Sequence, residues 1–204
     1  YISYIQMNIL SEIRKLFANK WFLLILGIKV IASFLFAADV FVKGFAPFIT
    51  YFVSSGFDNP YDYFASIGQL KAFPYPSVML ALLAIPRILL APLFSLSINF
   101  LALFILRIPV LLADILIYFV LNRLLEGKEK SILLFYWASP ILFYINYFHG
   151  QLDVIPTAIL FLSVWLLLKK RKLLSFVLLG IGLATKTHLI VALPLYCVYL
   201  FVNK

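Results

Sequence analysis

Apolar residues run along this chain in long stretches with few polar breaks. A membrane-crossing helix needs about 20 such residues. Trp21 to Ala38 is one candidate, and Ser77 to Leu96 is a second, interrupted by Pro86, Arg87 and Pro92. Phe100 to Leu121 is a third and Ile132 to Phe148 a fourth. Val154 to Leu168 is a fifth, slightly short, and Leu173 to Val202 a long sixth. At about 1.5 Å per residue the sixth would extend roughly 45 Å, too long for one crossing of a roughly 30 Å core. A bend or break is therefore expected near Gly182 to His188. The pattern predicts an all-α transmembrane chain.

The charges then orient the runs. Arg14, Lys15 and Lys20 precede the first run, Arg123, Lys128 and Lys130 follow the third, and Lys169, Lys170, Arg171 and Lys172 follow the fifth. Cationic loops stay cytoplasmic. All three clusters fall on that side, with the N-terminus, only if 77–96 does not cross. That segment therefore reads as re-entrant or lying along the outer interface, which suits its prolines and Arg87.

A long outer loop, about 40–99, remains. It is too apolar to be free. Val40 to Val53 reads as a helix along the membrane surface, with Phe41, Phe45, Phe48 and Phe52 at helical spacing. Gly56 to Pro60 is a turn, and Phe73-Pro74-Tyr75-Pro76 is a further break with aromatics at interface level. No repeat or polar linker appears, so the chain reads as one domain.

Composition sharpens the class. The chain is 65% hydrophobic and 12% charged, with mean hydropathy +1.07. A soluble domain is about 45–50% apolar and about 25% charged. A soluble enzyme and a nucleic-acid binder are thereby excluded, and the expected surroundings are a lipid bilayer. The net charge of +9 is mostly the three cytoplasmic clusters. The lone Cys197 offers neither a disulfide partner nor a thiolate metal site.

Polar groups inside apolar runs are expensive and point to function or to pairing. Asp39 lies at the outer end of the first run, where partial desolvation would move a carboxylate towards general-base range. Lys29 and Asp114 sit deep in the first and third runs and suit a buried pair between helices. Arg107 lies nearer the outside and suits an anionic ligand. His149-Gly150-Gln151-Leu152-Asp153 forms the one polar turn between the fourth and fifth runs. Lys186-Thr187-His188 interrupts the sixth, and its cation and imidazole suit a phosphate. Asp58 and Asp62 add carboxylates to the same outer side. This chemistry converges on a substrate carrying phosphate and hydroxyls, such as a lipid-phosphate-linked sugar.

Four stretches of the chain, between about 39 and 194, resemble in order the GT-C superfamily of polytopic glycosyltransferases. They are Phe73-Pro74-Tyr75-Pro76, Arg107-Ile108-Pro109 through Asp114, Ser139-Pro140 through Gly150-Gln151-Leu152-Asp153, and Ala184-Thr185-Lys186-Thr187-His188 with Pro194. The flavour is similar to the glucosyltransferases of dolichol-linked oligosaccharide assembly and their archaeal relatives. The resemblance implies a module of about six or seven membrane helices, with amphipathic or re-entrant helices in the first outer loop. It implies inverting transfer from a polyprenyl or dolichyl phosphate sugar to a hydroxyl of a lipid-linked or other acceptor, on the outer or lumenal face of the plasma membrane or endoplasmic reticulum. Asp39 matches the position of the base, although relatives often carry paired acids where this chain has Asp39-Val40. Asp58 and Asp62 are fallbacks for that role. Lys186 and His188 would hold the donor phosphate, with Arg107 as a third cation, and His149, Gln151 and Asp153 would meet acceptor or sugar. No cofactor is expected, and the need for a divalent metal stays open. Relatives carry further spans, so a C-terminal part beyond Lys204 is expected. A transporter or flippase of an anionic or lipid-linked substrate, and a non-catalytic membrane subunit, remain alternatives.

Overall fold

A computed structural model describes residues 14–90 and 100–202 of the protein. It is 81% helix, with no strand among the described residues. Helix α1 spans Lys20–Leu35. Asn19 caps it, its side-chain oxygen accepting from the N–H groups of Trp21 and Phe22 at 3.0 and 3.3 Å. Those are two of the donors that a helix start leaves orphaned. Beyond Leu35 the chain turns extended at Phe36.

Helix α2, Phe41–Ser54, opens with a wide π-turn over Phe41–Phe45. That turn sets Gly44 against the loop beyond: a Cβ there would lie 2.7 Å from the Ala72 carbonyl oxygen. The phenylalanine spacing is helical, as expected, but the face does not lie on a surface. Phe41, Phe45 and Phe48 are buried within the protein. Helix α3, Pro60–Ser66, starts with proline at its first position and Asn59 as cap, where a missing N–H costs nothing. Phe48 stacks on Phe73 with ring centroids 4.9 Å apart and touches Tyr61 and Phe64. The segment from 41 to 76 is thus a packed aromatic layer.

Helix α4 covers Ser77–Leu90 and carries Pro86 inside it; the predicted run's remainder, 91–96, lies outside the described residues. Helix α5, Phe100–Leu124, is the long central rod. It packs on α1, on α4 and on α8 (Val154–Leu168). Helices α6, Glu129–Trp137, and α7, Pro140–Phe148, meet at a 43° bend. Pro140 supplies the cause, lacking the N–H that a continuous helix would use. Helix α9, Lys172–Thr185, packs along α8. Lys186 then goes extended, at φ −156° and ψ 110°, before α10, Thr187–Val202, resumes with a tight 3-10 stretch. The break expected between Gly182 and His188 therefore falls at Lys186.

Ser163 and Ser175 lock α8 to α9. Each hydroxyl donates to the other residue's carbonyl, at 2.6 and 2.8 Å, and the Tyr196 hydroxyl adds a bond to Ser163 Oγ at 2.7 Å. One apolar core continues from Ala32 through Phe45, Phe48 and Phe73 to Leu106, Tyr147 and Ile155.

Helix α5 is long and apolar enough to cross a membrane, and the bent pair α6–α7 qualifies if it counts as one span. The other apolar helices are shorter, such as Val154–Leu168 with 15 residues, about 22 Å of helix. Against the six or seven spans expected from sequence, the described residues hold one clear candidate by length. Large apolar side chains nevertheless stand exposed on many helices, among them Leu35, Leu112, Phe135, Leu173 and Leu195.

Candidate functional site

Deep in the fold, Lys29 of α1 donates to Asp114 of α5 at 2.7 Å, both 1% exposed. The pair expected from sequence is present. The Tyr136 and Tyr147 hydroxyls donate to the two carboxylate oxygens of Asp114, each at 2.6 Å. The Lys29 ammonium lies 3.5 Å from the centre of the Trp137 ring, whose indole N–H donates to the Phe22 carbonyl at 3.1 Å. Three donors on one carboxylate meet the demand of a buried charge. This knot ties α1, α5, α6 and α7 together, and its chemistry is structural. The sequence reading missed the two tyrosines. They lie on either side of the Pro140 break, so no single helical periodicity along the chain pointed to them.

Arg107 is also buried, at 2% exposure. Its Nη1 donates to the carbonyls of Ser33 at 3.5 Å, Tyr147 at 3.3 Å and Phe36. The guanidinium carbon sits 5.0 Å from the Phe41 ring centre. A cation at helix C-termini faces carbonyls left without partners. Arg107 thus binds the ends of α1 and α7, and grips the chain on both sides of Asp39. Its Nη1 faces these backbone carbonyls, whereas its Nε and Nη2 are buried with no hydrogen-bond partner among the described residues.

A second cluster forms where three segments meet. Asp153, at the start of α8, pairs with Lys186 at the break between α9 and α10. The Lys186 ammonium lies 5.6 Å from the centre of the Tyr75 ring. Tyr75 comes from the Phe-Pro-Tyr-Pro break, held there by the Tyr61 hydroxyl, which donates to its carbonyl at 2.7 Å. Burial pushes the Tyr75 phenol up to about 12; the Asp153 carboxylate adds to that, and the Leu152 backbone N–H pulls the other way. Burial raises Tyr61 as well. The side chains of Lys186 and Asp153 keep 22% and 45% of their surface, so the pair is reachable. Gly150 turns the chain just before it at φ +77°, a left-handed conformation that glycine adopts without strain. A Cβ on Gly150 would sit 3.7 Å from Ala38 Cβ. The turn therefore lies beside the residue that precedes Asp39.

The remaining candidates are more scattered. The Asp39 side chain is 82% exposed and pairs with Lys43 one turn on, at 2.6 Å. The desolvated setting expected for it is not what the fold provides. Asp62 accepts from Asn59 Nδ2 at 2.7 Å in the first turn of α3, and the Asp58 backbone N–H donates to Ser55 Oγ at 3.2 Å. Both acids shape that helix start; no hydrogen bond or ion pair joins either to Asp39 or Lys186. His149 is exposed, its ring 6.4 Å from Tyr144. Gln151 is half-buried, its backbone N–H donating to Ile145 at 3.1 Å. His188 is exposed on the 3-10 stretch. Besides Lys29 and Asp114, the fold joins Asp153 and Lys186 directly among the residues singled out from sequence, and adds Tyr75. No group of three potential metal ligands occurs among the described residues. No family model, curated protein or solved structure matches the chain.

Proposed function

We propose that the chain is a multi-pass membrane glycosyltransferase of GT-C type, moving a sugar from a polyprenyl or dolichyl phosphate to an acceptor hydroxyl on the outer or lumenal face. The many large apolar side chains exposed on the helices support a bilayer setting, since apolar exposure on this scale marks membrane or partner contact. The short helices belong in this reading to a bundle of about six or seven membrane segments. Its cationic clusters and N-terminus face the cytoplasm. The observation that carries the reading is the meeting of Tyr75, Asp153 and Lys186 at a helix break, beside the Asp39 loop.

Asp39 acts as base. Its carboxylate takes the proton of the acceptor hydroxyl as that oxygen bonds to the anomeric carbon from the side opposite the phosphate. The bond from that carbon to the phosphate oxygen breaks, its electron pair leaves with the lipid phosphate, and the anomeric centre inverts. Lys186 stabilises the departing charge, exchanging part of its contact with Asp153 for the phosphate, and His188 assists from the next turn. A transport reading would draw on Lys29 and Asp114. The saturation of that pair by two tyrosines argues against a mobile role.

The test is transfer by the purified protein in detergent. A polyprenyl phosphate bearing a radiolabelled sugar is the donor, and release of free polyprenyl phosphate is followed. Wild type should turn over, and Asp39→Ala should lose about 100-fold or more, the usual worth of a general base. Equal turnover by the variant would remove Asp39 from this role.

A further inference from the structure

A groove of about 490 Å³ opens on the loop side of α2. Val40, Lys43 and Gly44 form one wall, and Gln69, Leu70 and Lys71 the other. It shares no residue with the Tyr75–Asp153–Lys186 cluster. Its size falls within the roughly 300–1,000 Å³ of small-molecule sites. We propose that this groove binds an amphiphilic phosphate, with the phosphate between Lys43 and Lys71 and the apolar tail along Val40 and Leu70.

The lining divides by chemistry. Val40 and Leu70 are 59% and 78% exposed, an arrangement that costs free energy unless an apolar partner covers them. Lys43 shares its charge with Asp39, while Lys71 has no ion pair among the described residues. Two cations against one carboxylate leave the groove net positive. A compact ammonium suits phosphate as a point charge, and the Gln69 amide adds a neutral donor. No aromatic ring lines the groove, so it offers no platform for stacking a sugar or a base.

Its walls are also fixed. Gly68, at φ +76°, turns the chain into the second wall. The Gln69 N–H donates to Phe64 at 2.8 Å, and the Ala72 N–H donates to Gln69 at 3.0 Å. Gly44 is held against the Ala72 carbonyl, where any side chain would push the walls apart. A preformed groove spares the ligand the cost of ordering it.

The groove adjoins the proposed base through the Lys43–Asp39 pair, but its phosphate binding is argued from its own lining; only the naming of its occupant as a sugar-carrying lipid would rest on the glycosyl-transfer reading. Two sources share the chemistry, an isoprenyl phosphate and an outer-leaflet phospholipid. Native mass spectrometry of the purified chain in neutral detergent, titrated with citronellyl phosphate and with citronellol, tests it. Wild type should bind the phosphate about tenfold tighter than the alcohol, and Lys71→Glu should abolish that preference. Lys71→Gln should lose several-fold, and Lys172→Gln, at the start of α9, should leave binding unchanged. Leu70→Asp should weaken the phosphate lipid without affecting inorganic phosphate. Competition by phosphatidylglycerol at equal concentration would assign the occupant as a phospholipid; its failure to compete would assign an isoprenyl phosphate. Equal binding of phosphate and alcohol, or wild-type binding by Lys71→Glu, would overturn the site. Sugar transfer that fails while Lys71-dependent binding persists would sink the transferase and leave the groove; intact transfer without that binding would do the reverse.

Discussion

Two lysine–aspartate pairs in this fold have the same chemistry and opposite settings. Lys29–Asp114 keeps 2% of either side chain exposed, whereas Lys186–Asp153 keeps 22% and 45%. The inner carboxylate also accepts two tyrosine hydroxyls, and its ammonium faces an indole ring. Both charges are buried and already partnered. The outer pair sits at a helix break with one tyrosine alongside, and its partners can be exchanged. Burial with saturation builds a joint between helices; partial burial at a break leaves a charge available. The presence of an ion pair in an apolar chain does not by itself separate the two.

Breaking the inner pair should give the largest effect. Lys29→Ala leaves Asp114 buried without its cation, which costs about 3–5 kcal/mol. Thermal unfolding in detergent should show a large drop in Tm or loss of folded protein. The double replacement Lys29→Met with Asp114→Leu should recover much of that loss, because a buried pair is weak net stabilisation. Failure to recover would mean that the tyrosines, not the charges, hold the joint.

Arg107→Ala comes next. It removes a buried cation from the carbonyls of Ser33, Phe36 and Tyr147. Hydrogen bonds to a charged group contribute about 1.5–3 kcal/mol, so a loss on that order is expected in denaturant titration. Backbone hydrogen exchange over 36–42 should rise with it, because Arg107 grips the chain on either side of Asp39. Unchanged exchange there would confine Arg107 to general stability.

Gly44→Ala sharpens the comparison at the loop. Its Cβ would approach the Ala72 oxygen to 2.7 Å, and overpacking of that kind costs about 1–3 kcal/mol. Protease sensitivity of residues 67–72 should increase while the inner joint stays protected. In the α8–α9 clamp, Ser163→Ala should cost about 0.6–1.7 kcal/mol, the range of helix-to-helix hydrogen bonds in membranes.

The smallest stability effect belongs to the outer cluster. Lys186→Gln should change stability by about 1 kcal/mol or less, as partly exposed pairs do. Tyr75 adds a pH signature. Its phenol holds its proton to about 12 in the folded chain against 10.0 for the ordinary group. The folded state therefore binds the proton more tightly, so Tyr75's contribution is intact below about 10 and fades as pH rises towards 12. Tyr75→Phe should remove that alkaline slope, read as Tm between about pH 10 and 12.

Much of this was legible along the chain, for reasons that differ by residue. Lys29 and Asp114 stood out because charges inside apolar runs must find each other. The break at Lys186 followed from a run too long for one crossing. Asp153 and Lys186 were each visible, but not as partners, since they lie on separate segments and only packing of α8 on α9 unites them. Tyr75 looked like an interface aromatic, because a phenol's role depends on the neighbours folding supplies. The phenylalanines of α2 had helical spacing, yet periodicity cannot say whether an apolar face meets lipid or protein. Asp39 was expected half-buried from its place at a run's end. The extended turn at Phe36 and the pairing with Lys43 carry it outward instead.

The central claim is that the outer cluster is for chemistry and the inner knot for structure. Sugar transfer from a polyprenyl phosphate donor by Lys186→Gln, compared with wild type at matched Tm, tests it most directly. The expected result is a loss of about 100-fold or more in turnover with unfolding unchanged, as for removal of one preorganised charge-stabilising group. Turnover equal to wild type would contradict it.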